Sequence, residues 1–169
     1  MKKWIIATAL AVLFIFGAYW GWQAYRNWLT EVTNFEDYLG EDTDFNQAAA
    51  VFLPAKEDLA GCEISRYAHG SYPDGREYIW IQVDCSTQES ELVNVAKAKM
   101  EMAWEEYASY PNGDQFLLNG LNFRCCTVYL DKDYGYAYAE EGNTLYLLFL
   151  TDPDLEYMDI TSVIKLYQG

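Results

Sequence analysis

An uncharged apolar segment near the N-terminus most constrains what this chain can fold into. Residues 4–25 contain no charged side chain, and Thr8 and Gln23 are the only clearly polar ones. At 1.5 Å per residue, a helix of this length spans about 33 Å, enough to cross a hydrocarbon core of about 30 Å. Tryptophan and tyrosine gather at the two ends of the segment, as they do at the two headgroup levels of a bilayer. The sequence therefore predicts one transmembrane helix over residues 4–25.

A cleaved secretory signal is the alternative interpretation of this segment. Its hydrophobic region is usually about 7–15 residues long and ends at a pair of small residues one position apart. Here each such pair contains a large residue, as in Phe16 with Ala18. We therefore expect an uncleaved signal anchor in the cytoplasmic membrane. Lys2 and Lys3 place its short end in the cytoplasm, with a single pass and the C-terminal domain outside.

The rest of the chain is strongly acidic. All 26 acidic side chains but only 8 of the 11 basic ones follow residue 26, which gives this part a formal charge of −18. Such a surface repels phosphate backbones, so nucleic-acid binding is excluded as a function class. The acidity indicates a soluble, self-repelling surface; a basic partner or weakly bound cations are the alternative.

Composition predicts a single folded domain beyond the anchor. Apolar residues make up 51% of the chain and aromatic residues 17%, which is too much for a disordered segment. The expected organisation is a cytoplasmic tip and anchor over residues 1–28, an acidic, partly helical stalk over 29–50, and an extracytoplasmic domain over 51–169.

Alternation of apolar and polar residues predicts a β-hairpin from strands 62–67 and 78–85. A turn centred between Pro73 and Asp74 places Cys62 opposite Cys85. A bulge at Gly75 would shift this pairing by one residue.

The remaining elements complete an α+β fold. A helix begins at Ser86 with a capping box and ends at residues 111–113. Strands 121–130, 134–140 and 144–150 form an antiparallel meander, whose third strand is apolar on both faces and therefore central. Asp152 and Pro153 open a last helix that ends near Tyr167. The order ββ-α-βββ-α predicts an antiparallel sheet with helices on one face.

The hairpin, the acidic-capped helix and the strand running into Asp152-Pro-Asp-Leu-Glu-Tyr157 resemble small anchored or exported bacterial domains of unknown function. The resemblance covers residues 51–168 and implies the same compartment and fold. It implies no activity and no site residues.

Four cysteines on the outer side of a membrane favour disulfide bonds. Cys62–Cys85 is the expected pair. Cys125 and Cys126 are neighbours on one strand and point to opposite faces. Three alternatives are open for them: a strained vicinal disulfide, two free thiols, or one disulfide from each to a hairpin cysteine. The spacing lacks a zinc knuckle and a catalytic Cys–His pair, and His69 is interpreted as an exposed loop residue, so we expect no metal and no cofactor.

Aromatic residues in strands supply the candidate partner surface. If their rings are uncovered, they form a flat platform for a sugar ring or an aromatic-rich partner. The alternative is aromatic pairing across strands beneath a helix. The residues concerned are Tyr78, Trp80, Tyr134, Tyr136 and Tyr138.

Together these features indicate a membrane-tethered extracytoplasmic binding or accessory domain with a protein or cell-envelope partner, rather than an enzyme. One alternative is a cell-envelope hydrolase, which requires a cleft with paired carboxylates. The other is a thiol–disulfide protein that uses Cys125 and Cys126.

Overall fold

The computed structural model describes residues 2–26, 28, 30–40, 42–60, 62–85, 89–107, 115–118 and 120–151. Of residues 2–11, 26, 89–90 and 115–118 it describes the backbone only. The predicted cap at Ser86, the predicted helix end at residues 111–113 and the predicted last helix lie outside the described residues.

Helix α1, Lys2–Arg26, contains the whole apolar segment. Its large apolar side chains from Val12 onward are exposed, with Phe14 at 78% and Trp20 at 70% of their full accessible surface. Within the described part of the chain, no helix meets the length and hydropathy needed to cross a membrane. The transmembrane helix and its orientation therefore remain predictions.

Among the described residues, the domain that follows α1 is built on one antiparallel sheet of seven strands in the order β1-β2-β3-β7-β6-β5-β4. Six strands have four to nine residues, and the edge strand β1 has three. The central position of β7 is confirmed, as are the α+β class, the hairpin and the meander. The strands are β1 Thr30–Val32, β2 Glu63–Ser71, β3 Glu77–Asp84, β4 Gln115–Leu118, β5 Leu121–Tyr129, β6 Asp133–Glu141 and β7 Thr144–Thr151.

The β2–β3 hairpin shifts its register twice. Gly75 has a φ of 86°, so the turn takes one extra residue and Ser71 pairs with Glu77. A bulge between Ile64 and Arg66 then removes the offset, and Glu63 pairs with Asp84. The two shifts cancel, and the pairing predicted for the open end of the hairpin is restored.

Helices α2, Asp44–Phe52, and α3, Glu89–Met102, lie on the same side of the sheet. A π-helical turn, Ala103–Tyr107, extends α3. Their apolar residues join one buried cluster with β-strand residues, which we call the first face. The opposite side of the sheet carries a separate buried cluster, the second face, which contains no α2 or α3 residue. Among the described helices, packing on one face is therefore confirmed.

The segment expected to be a stalk belongs to the domain, which corrects the boundary at residue 50. Thr43 caps α2, its side chain accepting from the backbone N–H of Asn46 at 3.1 Å. Phe45, Ala48 and Phe52 then follow at helical spacing and are buried against the sheet. The acidic residues that suggested a stalk occupy the exposed side of the same segment.

Strand β4 is an element that the periodicity did not predict. It pairs with β5 through Leu118 and Leu121, and Gly120 just before β5 has a φ of 86°. An Asn-Gly pair between apolar runs is a strong hairpin signal. The signal was present, but the apolar run before it is too short to alternate visibly.

Candidate functional site

Three of the predicted platform rings are buried on the first face. Tyr134 and Tyr136 have 0% exposure, and Tyr138 has 3%. The Tyr136 hydroxyl donates to the Ala96 carbonyl of α3 at 3.3 Å, and the Tyr134 ring stacks on Phe149. These rings do not form an open platform, because α2 and α3 pack over them. Cross-strand aromatic pairing beneath a helix, the alternative interpretation, describes them.

The other two platform residues are buried on the second face. The Tyr78 hydroxyl donates to the Glu31 carboxylate at 2.7 Å, and the Trp80 ring lies 6.0 Å from the Phe123 ring. The predicted surface is therefore corrected: its members lie on two opposite sides of the sheet and do not share a site.

His69 lies within β2 and not in an exposed loop. Its ring stacks on Phe45 with centroids 5.5 Å apart, and its Nε2 is 3.3 Å from the Glu77 carboxylate. The strand extends further toward the turn than the alternation indicated, and this brings His69 into the sheet.

The cysteines are thiols in this structure, distributed over both sides of the sheet. Cys85 and Cys126 belong to the first face, with Cys62 packed against it, and Cys125 belongs to the second. The prediction that Cys125 and Cys126 point to opposite faces is confirmed.

A groove lies along the outer edge of β2. Strand β1 covers only the last three residues of β2, from His69 to Ser71. Among the described residues, no strand pairs with residues 63–68 on that side. The groove has a volume of about 370 Å³, within the range of small binding sites. Its lining residues are Glu31, Thr33, Phe35, Ile64, Ser65, Arg66 and Tyr67.

The bulge at Ser65 shapes the inner wall of this groove. Residues three apart on a regular strand point to opposite faces, yet Ile64 and Tyr67 both pack on the first face. The extra residue between them makes this possible. The Ser65 hydroxyl donates to the Gln82 carbonyl at 3.1 Å and holds the bulge in place.

The Tyr67 hydroxyl is a buried polar group without a hydrogen-bond partner among the described residues. The side chain is 4% exposed, and its ring contacts Phe35 and Tyr38 edge-on. Burial, with a contribution from Asp37, raises the pKa of Tyr67 to about 12. A buried hydroxyl without a partner is unfavourable by roughly 1–3 kcal/mol, so a ligand that supplies an acceptor gains an interaction that the free protein lacks.

The surroundings of the groove are predominantly acidic. Glu31 lines it, Asp37 is close enough to affect Tyr67, and Glu63 is exposed at the start of β2. Lys56 is 3.0 Å from the Glu36 carboxylate beside the groove. Arg66 is the one basic residue among the described residues of the lining.

Sequence reasoning missed this groove because its two walls come from segments far apart in the chain. Thr33 and Phe35 fall in the predicted stalk, and Ile64 and Tyr67 fall in a predicted regular strand. One signal was available: two large apolar residues an odd number apart in a strand indicate a bulge.

The fold and the groove define an α+β domain that follows helix α1 and whose antiparallel sheet has one partly open edge. No protein-family model matches this chain, and a search of curated proteins returns no match.

Proposed function

We propose that this chain is a membrane-tethered binding module whose outer domain receives an extended, basic segment of a partner protein along the open edge of β2. The observation that carries the proposal is the groove at residues 64–67. Within the part of the chain that the structure describes, it combines a strand edge that no strand covers with a buried Tyr67 hydroxyl that has no hydrogen-bond partner.

An uncovered strand edge offers backbone N–H and C=O groups to a second extended chain. β2 continues for six residues beyond the end of β1. A peptide of about six residues would extend the line of β1 and lie over Ile64 and Tyr67. Main-chain hydrogen bonds would supply much of its affinity, and the Tyr67 hydroxyl would add a bond to a specific acceptor.

Charge favours a basic partner. The part of the chain beyond residue 26 has a formal charge of −18, and Glu31 lines the groove. Complementary charge speeds association and discriminates against acidic competitors. Binding that depends on it weakens as salt is added.

The groove favours binding over the two catalytic alternatives. A hydrolase of the paired-carboxylate type needs two acidic side chains facing one substrate bond, and of the described residues that line the groove, Glu31 alone is acidic. A dithiol mechanism needs two sulfurs in reach of each other, and Cys125 and Cys126 lie on opposite faces of β5.

Helix α1 supports the tether. Its exposed apolar side chains leave no polar side for water, the pattern of a helix surrounded by lipid. β1 begins at Thr30, four residues after α1 ends at Arg26. Four residues reach at most about 14 Å, so the groove would be held close to the bilayer surface.

A peptide-binding measurement on the full-length chain in lipid nanodiscs tests the proposal. The probe is a capped eight-residue peptide that alternates lysine and valine. Its controls are a glutamate–valine peptide and a lysine–valine peptide with N-methylated backbone amides. We expect only the first to bind, because the second has the wrong charge and the third cannot complete the strand pairing.

A pair of conservative variants locates the site. Tyr67→Phe is expected to weaken binding about tenfold, since it removes one hydrogen bond to the ligand. Tyr146→Phe is the matched control, because its hydroxyl bonds to Glu141 away from the groove at 3.4 Å and its loss should leave affinity unchanged. Equal binding of all three peptides, or equal effects of the two variants, would contradict the proposal.

A further inference from the structure

Cys62 and Cys85 face each other at the open end of the β2–β3 hairpin. The last strand pair is Glu63 with Asp84, and one step further brings the two cysteines opposite one another. Both side chains pack on the first face, Cys85 within the cluster and Cys62 against it.

Backbone hydrogen bonds identify the type of pairing at this position. The Cys85 N–H donates to the Asn143 carbonyl at 2.7 Å, and the Cys62 N–H donates to the Leu59 carbonyl at 3.2 Å. The two cysteines therefore occupy a non-hydrogen-bonded pair, in which opposed Cα atoms are about 4.5 Å apart. Disulfide bonds join Cα atoms about 4.4–6.8 Å apart.

The electrostatics agree with direct contact between the two thiols. Burial raises the pKa of the Cys85 thiol to about 11, and the Cys62 thiol adds to this rise through its charge and a hydrogen bond.

The sheet order excludes the competing pairings. Strand β5, which carries Cys125 and Cys126, is separated from β3 by β6 and β7. Three strand spacings amount to about 14 Å, twice the reach of a disulfide. Cys125 and Cys126 pair with Ala137 and Tyr136 in a regular ladder and point to opposite sides, so they do not bridge to each other without leaving it.

We propose that Cys62 and Cys85 form a cross-strand disulfide bond while Cys125 and Cys126 remain thiols. The oxidant is a protein or glutathione disulfide. Its S–S bond is reduced to two thiols, and the two cysteine thiols give up two electrons and two protons as the new S–S bond forms. The bond joins the two strands at the open end of the hairpin. Cys62 lies one residue before Glu63, where the uncovered edge of β2 begins. It does not depend on the proposed ligand.

Differential alkylation with mass spectrometry tests this on the full-length purified protein. The chain is equilibrated with excess oxidised glutathione and unfolded in the presence of one alkylating reagent, which blocks every thiol; the disulfide bonds are then reduced and labelled with a second reagent. We expect the second label on Cys62 and Cys85 and the first label, after unfolding, on Cys125 and Cys126. Second label on all four cysteines, on none, or on any other pair would overturn the proposal.

A thermal measurement gives an independent result. The oxidised chain is expected to melt about 10 °C above the reduced chain, because the bond limits the unfolded ensemble. In Cys62→Ser this difference should vanish, whereas in Cys126→Ser it should persist. A difference that survives in Cys62→Ser would contradict the assignment, and the labelling of the unmodified chain decides the matter if a variant does not fold.

Discussion

Tyr38 and Tyr67 are neighbouring buried phenols whose hydroxyl groups differ in one respect. The rings meet edge-on with centroids 5.9 Å apart. The Tyr38 hydroxyl donates to the Pro54 carbonyl at 2.6 Å, whereas the Tyr67 hydroxyl has no partner among the described residues. The same chemical change should therefore affect the two positions in different ways.

Removing each hydroxyl tests this difference. Tyr38→Phe is expected to lower the free energy of unfolding by about 1–2 kcal/mol, because the Pro54 carbonyl loses its donor. Tyr67→Phe is expected to leave it unchanged or raise it by up to about 1 kcal/mol, because no internal bond is lost. Urea denaturation of both variants measures the effect. Equal losses would show that Tyr67 has a partner in the free protein.

Gly70 is required by its cross-strand neighbour. It pairs with Tyr78, and a Cβ at this position would overlap the Tyr78 ring. We expect Gly70→Ala to lower the free energy of unfolding by about 1–3 kcal/mol. In a Tyr78→Leu background the same change should cost much less, because the ring is gone. Equal costs in both backgrounds, measured by a double-mutant cycle, would contradict this contact.

At the scale of elements, α1 carries the prediction of the membrane anchor. The double variant Phe14→Arg and Ile15→Arg places two charges in the middle of its apolar segment. Each charge raises the free energy of inserting the helix into the membrane by roughly 2.5–3.5 kcal/mol. We expect the protein to move from the membrane fraction to the soluble fraction in carbonate extraction. The control, Glu57→Arg with Glu91→Arg, places the same charges on exposed positions and should stay in the membrane fraction. Retention of both variants would contradict the anchor.

The hairpin, α3 and the meander were predictable because each buries one side of a regular element, so periods of 2 and 3.6 residues are visible in the sequence. β1 and α2 were not, since β1 has only three residues, all of them exposed, and polar residues interrupt the short apolar side of α2. The groove was beyond sequence reasoning for a different reason. It depends on Phe35 meeting Tyr67 and on a bulge at Ser65, and both are set by tertiary packing.

At the scale of the whole molecule, buried phenols and thiols make the fold sensitive to alkali. Burial raises the pKa of Tyr67 to about 12 and that of Cys126 to about 11, and it also raises the pKa of Tyr136. The unfolded chain releases these protons at lower pH than the folded chain. The protonated groups therefore contribute fully to the free energy of unfolding below about pH 9. This contribution is lost as the pH rises toward 12.

Thermal unfolding under reducing conditions measures this effect. We expect the melting temperature to fall progressively between pH 9 and pH 12. Cys126→Ala should reduce the part of the fall between pH 9 and 11, because it removes one of the thiols that the fold keeps protonated. A melting temperature that stays constant up to pH 12 would show that these groups titrate alike in both states.

Hydrogen exchange of the full-length chain in nanodiscs, with and without the lysine–valine peptide, tests the central claim most directly. The account predicts that the peptide slows exchange in residues 63–68, where main-chain bonds to it would form, and that Tyr67→Phe weakens this protection. Protection confined to another part of the molecule, or no change at saturating peptide, would contradict a partner-binding role for the β2 edge.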